Sequence, residues 1–191
     1  MSVMGWVAIA LVAVVVVFYG WYVSIIKRRN KAQEALSGID VQLQKRSNLI
    51  PNILKIAKKF MEHESALLTQ VTELRTKAGA DYDSSNPEEV KAHLGAAKEL
   101  SGVMGRLMVA VEAYPELKSN ETMIQAQQTY NEVEAQIAAA RRFYNSAVST
   151  LNNAVQIFPG NVIAGMAGVA AMPFYEADEA ARAPVDAGDF L

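Results

Sequence analysis

The chain has 191 residues, of which 51% are apolar, a formal net charge of −2 and no cysteine. The absence of cysteine excludes disulfides, thiolate metal sites and a cysteine nucleophile, so stability must come from packing. The near-neutral charge gives no support to a nucleic-acid partner.

Residues 1–26 hold no charged side chain and are dominated by valine, alanine and isoleucine. As a helix they would span roughly 37 Å, enough to cross a bilayer core of about 30 Å. Trp6 lies near one end, while Phe18, Tyr19, Trp21 and Tyr22 crowd the other, where amphipathic rings meet headgroups. Lys27, Arg28, Arg29 and Lys31 follow at once. A secretory signal peptide carries its basic residues before the apolar run, so this order predicts a retained anchor. The positive-inside bias then places the N-terminus outside and the remainder in the cytoplasm of a single-pass protein of the bacterial inner membrane.

After the anchor about 165 residues remain, enough for one domain with a real core. Its charge is polarised: residues 27–60 hold nine basic residues against Glu34 and Asp40, whereas the chain beyond holds nine basic against eighteen acidic. Membrane lipid is therefore an expected partner of the near end, at roughly 1 kcal/mol per basic residue close to an anionic surface. The general positive-inside bias of inner-membrane anchors explains the same residues without any special lipid contact.

Apolar or small residues at Ala32, Leu36, Ile39, Leu43, Ile50, Ile53, Ala57, Phe60, Leu67, Val71 and Leu74 fall at helical spacing. They predict one long amphipathic helix, kinked or broken at Pro51, where an N–H is missing and the ring clashes with the carbonyl of Ser47. A polar loop follows from Gly79 to Asn86. The next helix has a clear start, with Asn86 as cap, Pro87 in the first turn and Glu88 and Glu89 on the positive end of the dipole. It is expected to run to Ala113 and to end at Tyr114 and Pro115.

A third helix carries a seam of alternating three and four: Met123, Ala126, Tyr130, Val133, Ile137, Ala140, Tyr144, Ala147, Leu151, Ala154 and Phe158. Ile124, Phe143, Val148 and Val155 lie outside that seam and need another cover, which points to self-association. Pro159, Gly160 and Asn161 stop the helix. Residues 162–172 are apolar and small, too short to span a bilayer, and are expected to form a short helix on the bundle or a neighbouring subunit. The tail of 176–191 is acidic and alanine-rich, the composition of a disordered segment. The expected organisation is all-α: an anchor over 1–26, a bundle of three long helices plus a short one over 27–175, and the tail.

No catalytic constellation emerges. His63-Glu64 begins a zinc-type pattern, but Leu67 stands where the second histidine is required. His93 is isolated. Gly160 and Gly165 have the spacing of a phosphate loop, with Met166 and Ala167 in place of its lysine and hydroxyl residue. Asn120-Glu121-Thr122 matches a glycosylation pattern that has no meaning in a cytoplasmic domain. Neither a metal nor a cofactor is expected, and the chain does not read as an enzyme.

One cluster is odd for a plain bundle: Ile39-Asp40-Val41-Gln42-Leu43, Arg46, then Asn48-Leu49-Ile50-Pro51-Asn52, then His63-Glu64. With Tyr114-Pro115-Glu116-Leu117-Lys118, Glu134, Ile137, Ala140-Arg141, Tyr144-Asn145, Phe158-Pro159 and Phe174-Tyr175-Glu176, it resembles the LemA family of bacterial membrane proteins. Ser47-Asn48 and Asn153-Ala154 depart from the family's usual residues. The resemblance implies an antiparallel helical bundle behind one membrane helix, without established enzymatic activity. It also implies association with other membrane proteins, membrane proteases among them. Two readings follow: a self-associating scaffold or accessory protein whose motif residues are structural, or a small-molecule or peptide-binding module with a pocket near Pro51, where Arg46, Asn48 and Asn52 would converge.

Overall fold

A computed structural model describes residues 3–176; the acidic tail lies outside them except for Glu176. The described residues are helical, with no strand among them. Helix α1, Val3–Ala57, is one helix of 55 residues, about 80 Å long at the α-helical rise. Its first part is a helix long and apolar enough to cross a membrane, with no residue of that window buried. From Ile25 onward the same helix enters the bundle, burying Ile25, Ala32, Leu36, Ile39, Leu43, Arg46, Ile50, Ile53 and Ala57. Pro51 does not break it; its side chain is exposed on the outer face.

The apolar spacing predicts one helix through to Leu74, but α1 ends at Ala57. The chain turns back after Ala57 through a 3-10 turn at Glu62–Glu64 into α2, Ser65–Ala78. The gap from Phe60 to Leu67 is seven residues, two full helical turns, so the stripe keeps its phase across the reversal and hides it. The reversal lays α2 where Val71 is fully buried beside Ile50 and Ile53. A straight continuation would have left that stripe in water.

Helix α3, Pro87–Val111, starts as expected: the Asn86 side chain accepts from the Glu88 N–H and Pro87 sits in the first turn. Tyr114 and Pro115 lead into one turn of helix, α4, Pro115–Lys118, which buries Leu117. Helix α5, Glu121–Gln156, is capped by Asn120, whose side chain accepts from the Met123 N–H, so the glycosylation-like triplet is a helix start. Helix α6, Gly160–Ala167, ends at Gly168 with φ 64°, a left-handed conformation that glycine adopts without penalty.

Side-chain contacts give the directions. Arg28 reaches the Thr150 carbonyl and Arg46 reaches Glu134, so α1 and α5 run oppositely. Asp40 meets His93 and Arg46 meets Ala97, so α3 runs with α1, while Lys77–Glu99 and Arg106–Gln70 oppose α2 to α3. The core forms two clusters. The one nearer the anchor contains Leu36, Ile39, Leu94, Ile137, Tyr144 and Leu151, and the far one contains Ile53, Val71, Met104, Leu107 and Met123. Val148, placed outside the predicted seam, is fully buried in the near cluster with α6 and Val169, so its cover comes from the same chain. Phe143 is 75% exposed and Ile124 is also exposed; Phe158 lies past the end of α5 and is 77% exposed.

The turn into α6 is tight. A Cβ on Gly160 would stand 2.0 Å from the Ala154 carbonyl oxygen, whereas one on Gly165 would meet nothing. Gly160→Ala is expected to lower stability by about 1–3 kcal/mol through forced displacement of that turn. Gly165→Ala should raise it by up to about 1 kcal/mol through helix propensity. Thermal unfolding of the detergent-solubilised pair reads both signs.

Candidate functional site

The two core clusters meet at one polar layer. Arg46 is 1% exposed, and three of its donors are used: Nη1 donates to Ser101 Oγ at 2.6 Å and to Glu134 Oε1 at 3.1 Å, and Nη2 to the Ala97 carbonyl at 2.9 Å. A guanidinium suits this place because its planar fork reaches two neighbouring helices at once. Its Nε lies buried without a partner. Tyr130 lies on α5 one turn before Glu134, and its phenol is pushed well above the usual tyrosine range, by burial first and then by the Glu134 charge.

Two turns nearer the apolar end of α1, Asp40 gathers a second layer. The Tyr82 hydroxyl donates to Asp40 Oδ2 at 2.8 Å and His93 Nε2 lies 3.1 Å from Oδ1. The two rings stack with centroids 4.0 Å apart. Tyr82 is also shifted upward, by burial first and then by its bond to Asp40 and that carboxylate's charge. Tyr82 comes from the loop after α2, so Asp40 joins α1, that loop and α3. Arg75 donates from α2 to the Ser47 carbonyl at 2.9 Å. Between these groups lies a cavity of about 250 Å³, lined by Asp40, Arg46, Ser47, Arg75, Tyr82 and His93 among others.

A third constellation holds the segment after α6. Asn145 donates to the Tyr175 carbonyl at 3.0 Å and accepts from its N–H at 2.9 Å. Asn152 makes the same reciprocal pair with Met172, both bonds at 2.9 Å. Seven residues of helix rise about 10 Å, and three of extended chain about 10 Å, so two amides on one helix face can each serve one backbone residue. Tyr144 donates to the Pro173 carbonyl at 2.7 Å, and the Arg141 guanidinium lies 5.8 Å from the centre of the Tyr175 ring. Burial, and next the Asp40 charge, shift the Tyr144 phenol upward as well.

The motif residues therefore divide. Asp40, Arg46, Arg141, Tyr144 and Asn145 make contacts between elements. Asn48, Pro51 and Asn52 face outward; Asn48 accepts only from Gln44 within α1, and Arg46 points away from both asparagines. They do not converge at the proline, although an open groove of about 410 Å³ passes Asn52, lined by Leu49, Lys55, Ile56 and Thr129 among others. His63 is exposed and Glu64 half-buried in the turn to α2, and Tyr114 and Pro115 form the turn between α3 and α4. Phe158 and Pro159 precede α6. Sequence reasoning missed His93, Asn152 and Ser101. Asp40 in the odd cluster and Tyr82, a lone aromatic in a polar loop, were the visible hints of the second layer.

These contacts join stretches of sequence that carry the resemblance, residues 39–46 with Glu134, and 141–145 with 173–175. A model of the LemA family matches residues 35–187. The chain belongs to the LemA family. Among family relatives it is similar to Magnetosome protein MamQ 2 and MamQ 1 of Paramagnetospirillum magneticum, each 26% identical over 198 residues that cover 93% of this chain and 71% of the relative. Magnetosome protein MamQ of Magnetospirillum gryphiswaldense is 23% identical, over 93% of this chain and 72% of its own. In this LemA-family chain the match begins at Ala35, within the near cluster, and leaves out the apolar part of α1.

Removing Arg46 opens a cavity and takes a donor from the Ala97 carbonyl, while Glu134, 31% exposed, can turn to water. Arg46→Ala should therefore cost about 2–3 kcal/mol, below the value for a wholly buried pair, whereas Lys77→Ala, which breaks the exposed pair with Glu99, should cost less than about 1 kcal/mol. Denaturant titration in detergent separates the two. The raised phenols give the pH sign: the folded state holds their protons where the unfolded chain releases them. Their contribution to stability should be flat below the ordinary tyrosine range near pH 10 and fall above it. Tyr82→Phe should reduce that alkaline fall, measured as the unfolding midpoint from pH 8 upward.

Proposed function

We propose that this protein is a non-enzymatic, membrane-anchored helical scaffold or accessory protein that self-associates and presents its bundle to cytoplasmic or membrane partners. In this reading the N-terminus lies outside the inner membrane and the bundle in the cytoplasm, following the basic residues after the anchor. The observation that carries it is the use of the motif side chains. Asp40, Arg46, Arg141, Tyr144 and Asn145 are spent on holding elements to one another. Residues that build shape in this way suit a protein whose product is a surface.

Self-association draws on two further features. Phe143 on α5 and Val109 on α3 are each 75% exposed, an apolar cost that a partner would remove. Anchors in one plane raise the effective concentration of identical bundles without any new contact, so a weak interface is enough. Parallel anchors favour rotational symmetry about the membrane normal. Single cysteines at Gln136, Phe143 and Ser146 of this cysteine-free chain, oxidised in native membranes, test it. Adducts that recur at helical spacing are expected, and their uniform absence along α5 would refute self-association through that face.

A second reading has one observation in its favour. The cavity beside Asp40 is lined by Asp81, Arg75, Tyr82 and His93 among others, a mixed polar lining suited to a small polar molecule. In a binding module, Arg75→Lys would weaken uptake of such a ligand by more than the loss of its bond to the Ser47 carbonyl lowers the unfolding midpoint.

A further inference from the structure

We propose that α6, together with the turn before it, enters the bilayer as a re-entrant element on the bundle side, its outer face covered by lipid acyl chains. The proposal rests on the reading that the apolar part of α1 crosses the membrane. The level is set by Arg28, which follows the anchor and donates to the Thr150 carbonyl. Since α1 and α5 run oppositely, everything in α5 after Thr150 continues past the basic residues toward the anchor. Gly160 comes close to the Trp21 ring, and α6 lies along the apolar helix itself. Val14, Val15, Phe18, Tyr19 and Tyr22 form one wall of an apolar cleft, and Ile163, Met166 and Ala167 form the other. Val14 and Val15, deeper than the aromatic rings at the headgroups, lie thirteen and twelve residues before Lys27, about 18–20 Å along the helix, so this face of α6 stands beside the part of the anchor that hydrocarbon surrounds.

The chemistry matches that depth. Residues 157–175 contain no Asp, Glu, Lys, Arg or His. Ile163 and Ala164 pack inward, while Ile157, Phe158, Val162 and Met166 are exposed, Met166 by 82%. In water this would be an apolar patch with nothing on it. In the leaflet it continues the surface of the anchor.

Non-helical backbone survives at membrane depth only where its polar groups are satisfied within the protein. Several of them are provided for here. The Gly168 N–H caps α6 by donating to the Ala164 and Gly165 carbonyls, and the Val169 N–H donates to the Ala164 carbonyl at 2.9 Å. Met172, on the way back to the bundle, has both its N–H and its carbonyl paired with the Asn152 amide. At eight residues α6 rises about 12 Å, so it dips and returns and does not cross. The Asn152 and Asn145 pairs are thus the device that brings the chain out again.

The test uses the full-length protein in vesicles of phosphatidylethanolamine and phosphatidylglycerol, spin-labelled at one introduced cysteine at a time. Collision with oxygen, which concentrates in hydrocarbon, is compared with collision with a water-soluble nickel complex. Met166→Cys and Phe158→Cys are expected to favour oxygen as Val12→Cys in the anchor does, and Glu62→Cys in the exposed far turn to favour nickel. If Met166 and Phe158 group with Glu62 while Val12 stays oxygen-favoured, the re-entrant element is refuted and the anchor stands. If Val12 itself meets nickel, the anchor reading fails and this inference falls with it. If Met166 is shielded from both reagents and its label is broadened by a neighbouring label, a second copy covers α6, and the lipid assignment is overturned.

Discussion

The structure depends on one buried cation. Arg46 lies where the far and near clusters meet, and three segments must be in register for its donors to be filled: α1, the Ala97–Ser101 turn of α3 and Glu134 of α5. Burying a guanidinium costs several kcal/mol of lost hydration, which the pair with Glu134 roughly offsets. Its net contribution to stability is therefore small beside its effect on alternatives. Sliding α5 by one turn along α1 would keep apolar contacts in both clusters but would leave Arg46 without its carboxylate. A greasy seam tolerates such slips; a buried charge does not.

A second constraint acts where the apolar part of α1 meets the bundle. Because α1 passes from one to the other without a break, and Ile25 is already buried in the near cluster, no hinge separates the two parts. The direction of the apolar helix sets that of the bundle. The return segment after α6 closes the same end: Tyr144, Asn145 and Asn152 hold extended backbone against α5 as a neighbouring strand would. The layers around Arg46, Asp40 and Asn145 fall at successive heights of the bundle, so polar specificity is distributed along an otherwise interchangeable apolar seam.

Much of this was legible in residue order, because the signals are local. An uncharged run of valines followed by basic residues marks the apolar helix; Asn86-Pro87 marks a helix start; the alternation from Met123 to Ala154 marks a helix face. Each is decided within a few turns by solvation and backbone geometry. The reversal at Glu62–Glu64 was not legible, because a seven-residue gap preserves helical phase and the turn contains neither glycine nor proline.

What the sequence by itself determined is the class of the molecule: an all-helical domain behind a long apolar helix, within the LemA family. Only the tertiary structure decided which polar residues meet. Asp40 and His93 are 53 positions apart, Arg46 and Glu134 are 88, and Asn145 and Tyr175 are 30. Helical periodicity says which face a side chain occupies but nothing about which helix lies opposite. Pro51 and its flanking asparagines drew attention as a motif and face outward, whereas His93, unremarkable in sequence, stacks in the polar layer. The choice between them was made by chain reversal and packing, which are properties of the whole chain and of no short stretch of it.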